Sequence, residues 1–451
     1  MSELEARRKS IREQWKLTTQ SGVDVYPLIA AVNEMENRGF AMLAARELLA
    51  KAKEQYRGEC WDQLLVTAAL VNREIHTALQ QADRGVTTFR DYVATLADPV
   101  MPAAPCSCPG SYAERVKGSW VGKCIGVALG DPLEGWTADM IRSRYGWVSD
   151  YVTIPSIAND DTAYQILVLH ALDEHGEAFT SQDLALQWVE HLPHAFTAEW
   201  TALENVKAGI MPPECGWFRN PCAEWVGAQM RSEVFGLLAP LRPELAAQLA
   251  FRDAIISHRG EGLHGGVFGA VLVSLSFLGL GVEELLRLSL SWVPPRSRFR
   301  QLVEETMYWC TKHGSLERVI PEIQREVASY HWIHTLPNIA AVVAGLCLGE
   351  GDFHRSMLNT LHCGFDTDCS TGQTAALLGA LLGYDRIPEH WSVPIGDSFE
   401  SYVLGYERMS FDALTAWTTE WGHRLETAEV GEMDAHTTHI DDSSSRGDET
   451  S

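Results

Sequence analysis

The sequence predicts an all-α protein. Three observations carry this. Apolar residues recur at spacings of three and four along most of the chain, alternating strand patterns are few, and one segment sets four glycines at intervals of four. With 451 residues, 46% apolar and 21% charged, the chain is long enough for two or three domains and an ample core.

The elements follow in order. Over residues 1–96, Ile29, Val32, Leu43, Leu48, Leu49, Leu64, Leu65 and Leu70 recur among Lys, Arg and Glu, which predicts several amphipathic helices. Residues 97–110 hold four prolines and a glycine, so a linker and a domain boundary are expected there. The body, 111–426, opens with ERVKGSWVGKCIGVALG, whose Gly118, Gly122, Gly126 and Gly130 leave one helix face bare for a close neighbour. Further helices are expected at Leu184–His191, Pro243–Ile256 and Gly266–Phe277. A second small-residue helix spans Thr374–Leu382, with Gly383 as its stop. Residues 427–451 end in DDSSSRGDETS and have almost nothing to bury, which predicts a disordered acidic tail.

Charge and composition exclude several functions. Thirty-six Lys and Arg against 60 Asp and Glu give a net charge of -24, which argues against nucleic acid or an anionic membrane as partner. The longest apolar stretch, Gly265–Gly281, is short of the roughly 20 residues a membrane span needs. Ten scattered cysteines without a CxxC pair, behind a charged N-terminus, fit a reducing, cytoplasmic setting.

Two acid-dense segments precede helices. Asn159-Asp160-Asp161-Thr162 stands before the stripe Tyr164, Leu167, Val168, Ala171 and Leu172, and Gly364-Phe365-Asp366-Thr367-Asp368-Cys369-Ser370 before the second small-residue helix. Capping explains one acid at a helix start, worth about 1 kcal/mol, but not several. Two such starts in one helical domain point to a hard cation, with Glu134 as a further oxygen donor. An EF-hand reading of Asp366–Ser370 fails, because Thr371 and Leu377 stand where a loop glycine and a bidentate Glu belong. Gly260–Gly265 matches GxGxxG, yet it follows a helical pattern where a dinucleotide site needs a strand; its glycines are expected to turn beside His258. A DxD glycosyltransferase would need an α/β sheet.

These residues resemble the ADP-ribosylglycohydrolase family over about Ser111 to Tyr384. Gly126–Glu134 is similar to the family's glycine-rich first segment, Asn159-Asp160-Asp161 to its Thr-Asp-Asp-like triplet, and Asp366, Asp368 and Cys369 to its late Asp-x-Asp-Thr/Ser motif. The resemblance implies a compact multi-helix bundle carrying an additional N-terminal helical region. It also implies two Mg2+ ions, or Mn2+, held by Glu134, Asn159, Asp160, Asp161, Asp366, Asp368 and Cys369. Glu134, Asp161 and Asp368 would be catalytic, with Glu134 as ligand or water-orienting base. His258, Trp217, Arg219 and Asn338 are assigned to ribose, base or phosphate contacts, with core packing or surface charge as their alternative. Cys369 puts sulfur where the family has a hydroxyl, which disfavours Mg, shifts a ligand to Ser370 or suits Mn. Val127 stands where many members carry Asp.

The activity implied is hydrolysis of an N- or O-glycosidic bond at the anomeric carbon of a ribosyl or ADP-ribosyl group, on ADP-ribosylated material or a nucleoside-like metabolite. A non-catalytic member, binding a ribosyl ligand or acting structurally, is the alternative. A homodimer through the N-terminal helices is the expected assembly.

Overall fold

The computed structural model of the protein describes residues 27–81, 85–100, 110–156 and 158–427, and Glu5 and Lys9 besides. The expected tail, apart from its first residue, and most of the linker lie outside the described residues.

Helices α1 (Pro27–Asn37), α2 (Leu43–Arg57) and α3 (Trp61–Gln81) form a small bundle of their own. Its core is Val32, Met35, Ala45, Leu49, Val71 and Ile75, the inward stripes of three amphipathic helices. Leu43, at the first turn of α2, instead stays exposed. Helix α4 (Phe89–Ala94) starts at a Thr88 cap and joins the main core, where the Tyr92 hydroxyl donates to the Trp292 carbonyl at 2.9 Å.

The body begins with α5 (Tyr112–Gly130), set by a capping box in which Ser111 and Glu114 satisfy each other's backbone amides. Helices α6 (Ala138–Tyr145), α7 (Asp160–His175), α8 (Ser181–His191) and α9 (Thr197–Lys207) follow, then α10 (Gly227–Met230), α11 (Glu233–Leu238), α12 (Pro243–Ala254) and α13 (Gly260–Ser276). The last group is α14 (Val282–Leu290), α15 (Arg298–His313), α16 (Leu316–Glu326), α17 (Thr335–Gly349), α18 (Phe353–Leu361) and α19 (Thr367–Leu382). After α20 (Glu389–Ser392), strands β1 (Ser398–Glu400) and β2 (Arg408–Ser410) pair antiparallel, Phe399 opposite Met409, and α21 (Phe411–Leu425) closes the fold. That hairpin is the whole sheet content among the described residues, so the DxD glycosyltransferase reading has no fold to stand on. The segment Gly260–Gly265 forms the first turns of α13, with a helix before it. This excludes the dinucleotide reading and replaces the expected turn.

Helices α5, α13, α17 and α19 are buried on nearly all sides and make the centre of the bundle. The two glycine-striped helices are partners. A side chain at Gly118, Gly122, Gly126 or Gly130 would run into the backbone of Gly379, Ala375, Thr371 or Thr367 respectively. Backbone-to-backbone approach lets the Thr371 hydroxyl donate to the Gly126 carbonyl at 2.7 Å and the Thr367 hydroxyl to the Gly130 carbonyl at 2.8 Å. The C-terminal end of α5 is thereby fixed beside the N-terminal end of α19, and the acidic segments meet there.

Candidate active site

Backbone pairing sets the first part of the site. Past α5 the chain turns at Gly135, whose N–H donates to the Phe365 carbonyl at 2.8 Å, while the Phe365 N–H donates to the Trp136 carbonyl at 3.0 Å. This short antiparallel bridge places Glu134 next to Asp366. Phe365 takes the left-handed conformation at φ 71°, a strained choice for a bulky residue that the pairing on both sides holds in place.

Asp366 is the N-cap of α19, but its side chain makes no capping bond, so its carboxylate is not spent on the helix end. Its backbone N–H donates to Asn338 Oδ1 at 3.0 Å; Asn338 in turn donates through Nδ2 to the Trp332 and His334 carbonyls at 2.8 and 2.9 Å. Glu134, Asp366 and Asp368 each bring an oxygen within 4.8 Å of the others. Asp368 Oδ1 is buried with no hydrogen-bond partner. A buried, unpartnered carboxylate oxygen costs several kcal/mol unless a cation or a proton meets it, so these three acids fit a divalent ion.

The second acidic segment is committed differently. Asn159 caps α7, Oδ1 accepting the Asp161 N–H at 2.8 Å, and its Nδ2 donates to Asp368 Oδ2 at 3.0 Å. Asp161 Oδ1 accepts from Lys123 Nζ at 3.0 Å and its Oδ2 from the Cys369 thiol at 3.2 Å. Lys123 reaches this point from inside α5, buried, and also donates to the Met230 carbonyl at 2.5 Å and to Glu233 at 3.3 Å. Ser370 donates back to the Asp366 carbonyl at 2.8 Å.

The acids raise one another's proton affinity. Desolvation against the cleft wall, then the carboxylates of Asp368, Asp160 and Asp131, push Glu134 upward, although the residue is exposed. Burial and neighbouring acids push Asp160 and Asp366 well above the usual carboxylate range. Asp161 rises only to about 6, burial being opposed by Lys123. Burial alone would lower Lys123, but Asp161 and Glu233 hold it above the ordinary lysine range and charged. Burial, with Asp161 and Asp366 beside it, keeps Cys369 a thiol.

These residues border a cleft of about 340 Å3, at the small end of ligand pockets. Glu134, Asn159, Asp160, Asp366, Asp368 and Cys369 line it, joined by Asp131, His194, Phe196, Thr197, Glu199, Val226, Gly227, Met230, Ile333 and Tyr402. Asp161 lies just behind, tied to Lys123. Sequence reasoning missed this second group. Only Asp131, inside the quoted motif, carried a visible signal, because the others come from loops and short helices without periodicity.

The four residues assigned to substrate lie elsewhere. Asn338 is fully buried and supports the Asp366 loop. His258 is buried behind the wall, its Nδ1 2.7 Å from Ser257 Oγ and its Nε2 4.0 Å from Glu199. Arg231 sits in the same network, bound to Glu199, Asp253 and Ser257. Arg219 is exposed and lines a separate surface cavity with Asn72 and His76 of α3. Trp217 is half-buried and is not among the described residues of the cleft wall.

Glu34, Glu224 and His334 form another cluster, where α1 meets the body. His334 Nδ1 accepts the Leu336 N–H at 3.1 Å, so a neutral ring carries its proton on Nε2, facing Glu34 at 3.5 Å and Glu224 at 4.0 Å. A protonated Nε2 is an ion-pair donor and not a metal ligand. This cluster docks the N-terminal bundle, together with Asn37 Nδ2 on the Ser329 carbonyl at 3.0 Å.

Comparisons with known proteins agree with the geometry. A solved structure described as an ADP-ribosylglycohydrolase-related protein complex superposes with a TM-score of 0.51 at 21% identity, over 69% of this chain and 99% of that one, which shows the fold. An uncharacterized protein of Archaeoglobus fulgidus is 25% identical over 294 residues, 62% of this chain and 90% of the relative. The model of the ADP-ribosylglycohydrolase family matches residues 109–442, a span that contains the glycine stripe, both acidic segments and the cleft between them. By that match the chain is a member of the ADP-ribosylglycohydrolase family.

Proposed function

We propose that the protein is a divalent-metal-dependent hydrolase of a glycosidic bond at the anomeric carbon of a ribosyl group, acting on a small, phosphate-free, nucleoside-like compound. The observation that carries this is the cage of Glu134, Asp366 and Asp368 with the orphaned Asp368 oxygen, opening into a ligand-sized cleft. Family membership supports a glycohydrolase.

In this reading Glu134, Asp366 and Asp368 hold the ion, which supplies Lewis-acid polarisation of a water and of ribose oxygens. Glu134, as a ligand of the ion, would be held ionised by it and would orient the water; without the ion, desolvation and the neighbouring acids keep this carboxyl protonated near neutral pH. Asp160, on the cleft wall, would meet the positive charge that develops at the anomeric carbon once the bound ion holds it ionised, whereas Glu199 is already paired with Arg231. Phe196, Val226, Met230, Ile333 and Tyr402 shed water from the leaving group. Asn338 keeps Asp366 in register.

The cleft's charge favours the small substrate over ADP-ribosylated material. Asp131, Glu134, Asp160, Glu199, Asp366 and Asp368 line it, and no Lys or Arg is among its described lining residues. A pyrophosphate would bring two further negative charges that only the bound ion could offset, since no side-chain cation stands among the described lining residues. A neutral or cationic aglycone meets no such penalty.

The test is a hydrolysis panel with magnesium present or chelated, containing ribonucleosides with neutral and with quaternary-nitrogen aglycones, and ADP-ribosyl-arginine. Ribose release from nucleosides that stops on chelation is expected. ADP-ribose release from ADP-ribosyl-arginine would overturn the substrate class, and binding without any turnover would return the protein to the non-catalytic reading.

A further inference from the structure

We infer that Lys123 is a built-in cation standing in for a second metal ion, so that the site takes one divalent ion per chain where the family resemblance implies two. The inference rests on the metal reading above and concerns how many ions that site accepts.

An ammonium has three protons to place, and Lys123 places all three: on Asp161 Oδ1 at 3.0 Å, the Met230 carbonyl at 2.5 Å and Glu233 Oε1 at 3.3 Å. It does this with 1% of its side chain exposed, which makes it a fixed part of the core and not a mobile surface charge. Its effect is to use up Asp161. One oxygen of that carboxylate faces Lys123, the other receives the Cys369 thiol proton at 3.2 Å, and the backbone N–H is taken by Asn159. Asn159 in turn has its one side-chain oxygen engaged. Its Oδ1 must accept the Asp161 N–H, and this orientation points Nδ2, a donor, at Asp368 Oδ2. Three of the seven residues that the resemblance implies as ligands therefore present a donor or an already paired oxygen. Asp161, Asp368 and Cys369 do lie within ligand distance of one another, but Lys123 and the thiol hydrogen occupy the Asp161 oxygens that an ion there would need.

The contrast with the other half of the site is direct. Asp366 makes no capping bond, and Asp368 Oδ1 has no partner. Free oxygens of Asp366 and Asp368 lie beside Glu134, while both oxygens of Asp161 are already met by protein donors. The replacement of a hydroxyl by Cys369 fits the same arrangement, because the thiol donates to Asp161 where a metal would want a hard oxygen.

The experiment is a count of Mn2+ ions on the full-length, metal-stripped protein, by equilibrium dialysis and by electron paramagnetic resonance of the bound ion. One ion per chain with the hyperfine pattern of an isolated Mn2+ is expected. Two ions, or the spectrum of an exchange-coupled pair, would overturn the inference and leave the proposed function standing. No binding at all would overturn both. Lys123→Met, which keeps length and removes charge, should admit a second ion and give the coupled spectrum. Should that variant fail to fold, Asp161→Asn serves in its place: it should still bind one Mn2+ with affinity within about threefold of wild type. A tenfold or greater loss would show that Asp161 is a ligand and refute the inference.

Discussion

Replacing Gly126 by alanine should damage both the fold and the metal site, and the structure gives the size of each effect. On an isolated helix the change would help, by about 1 kcal/mol, because alanine loses less backbone entropy. Here the new methyl would stand 2.5 Å from the Thr371 carbonyl carbon and 2.6 Å from the Gly372 nitrogen. Both are backbone atoms of α19, so no rotamer change relieves the clash. Restoring ordinary contact of about 3.5 Å requires α5 and α19 to separate by roughly 1 Å. Overpacking of this kind costs about 1 to 3 kcal/mol, and the Thr371 bond to the Gly126 carbonyl, worth about 1 kcal/mol, goes with it. The clash outweighs the propensity gain, for a net loss of about 2 kcal/mol. The same shift separates Glu134, one turn past the end of α5, from Asp366 and Asp368 at the start of α19, beyond the roughly 0.5 Å tolerance of a preorganised site. Urea unfolding and a magnesium titration of the same preparation form the assay. An unchanged midpoint with unchanged magnesium affinity would refute the argument that this helix pair builds the site.

Other perturbations have equally definite outcomes. Asp368→Asn should abolish metal-dependent turnover while circular dichroism stays that of wild type; a folded variant with normal turnover contradicts the cage. Asn338→Ala should cost about 1 to 3 kcal/mol through the unpaired Asp366 N–H and weaken metal binding, since the loop loses its support, both read by melting with and without magnesium. In metal-free protein the stability contributed by Asp161 and Glu233 should fall as pH rises from about 4 to 7, read as the difference from the Asp161→Asn/Glu233→Gln variant. The difference is needed because His258, His264 and His331, held by burial below the ordinary imidazole range, act in the opposite sense below about pH 6.5. Asp161 and Glu233 are raised to about 6 and about 7 by burial, so the stability they contribute is complete below their unfolded range and disappears as pH passes those values. A melting-temperature difference from that variant that stays flat or grows across the window would refute this. Glu34→Ala should lower the His334 pKa, which Glu34 and Glu224 hold above its ordinary value against burial, and weaken docking of α1, as followed by histidine NMR titration and amide exchange in α1.

Much of this architecture was legible because helical spacing and glycine spacing are local signals. The stripe Gly118–Gly130 and the run ending at Gly383 announce two helices with bare faces, and Gly383 does stop α19 at φ 86°. That each is the other's partner is not local information, since the contacting residues lie some 240 positions apart. The acids were legible as clusters, but capping and metal binding look alike in sequence. The structure separates them: Asn159 caps its helix and Asp366 does not. Lys123 was visible as a charge within an apolar, glycine-rich helix. Its targets, 38 and 110 residues away, were not. Phe196, Glu199 and Tyr402 reach the cleft from segments whose pattern shows no bias toward it, and Arg219 and Trp217, chosen by resemblance, are not among its described lining.

The central claim is that Glu134, Asp366 and Asp368 form a metal-dependent hydrolytic site. It is tested most directly by calorimetric magnesium titration of metal-stripped wild type and Asp368→Asn, with ribose release from a nucleoside followed in the same samples. Binding and release together in wild type, and neither in the variant, are expected. Ribose release that survives complete chelation, or metal binding unaltered by Asp368→Asn, would contradict it.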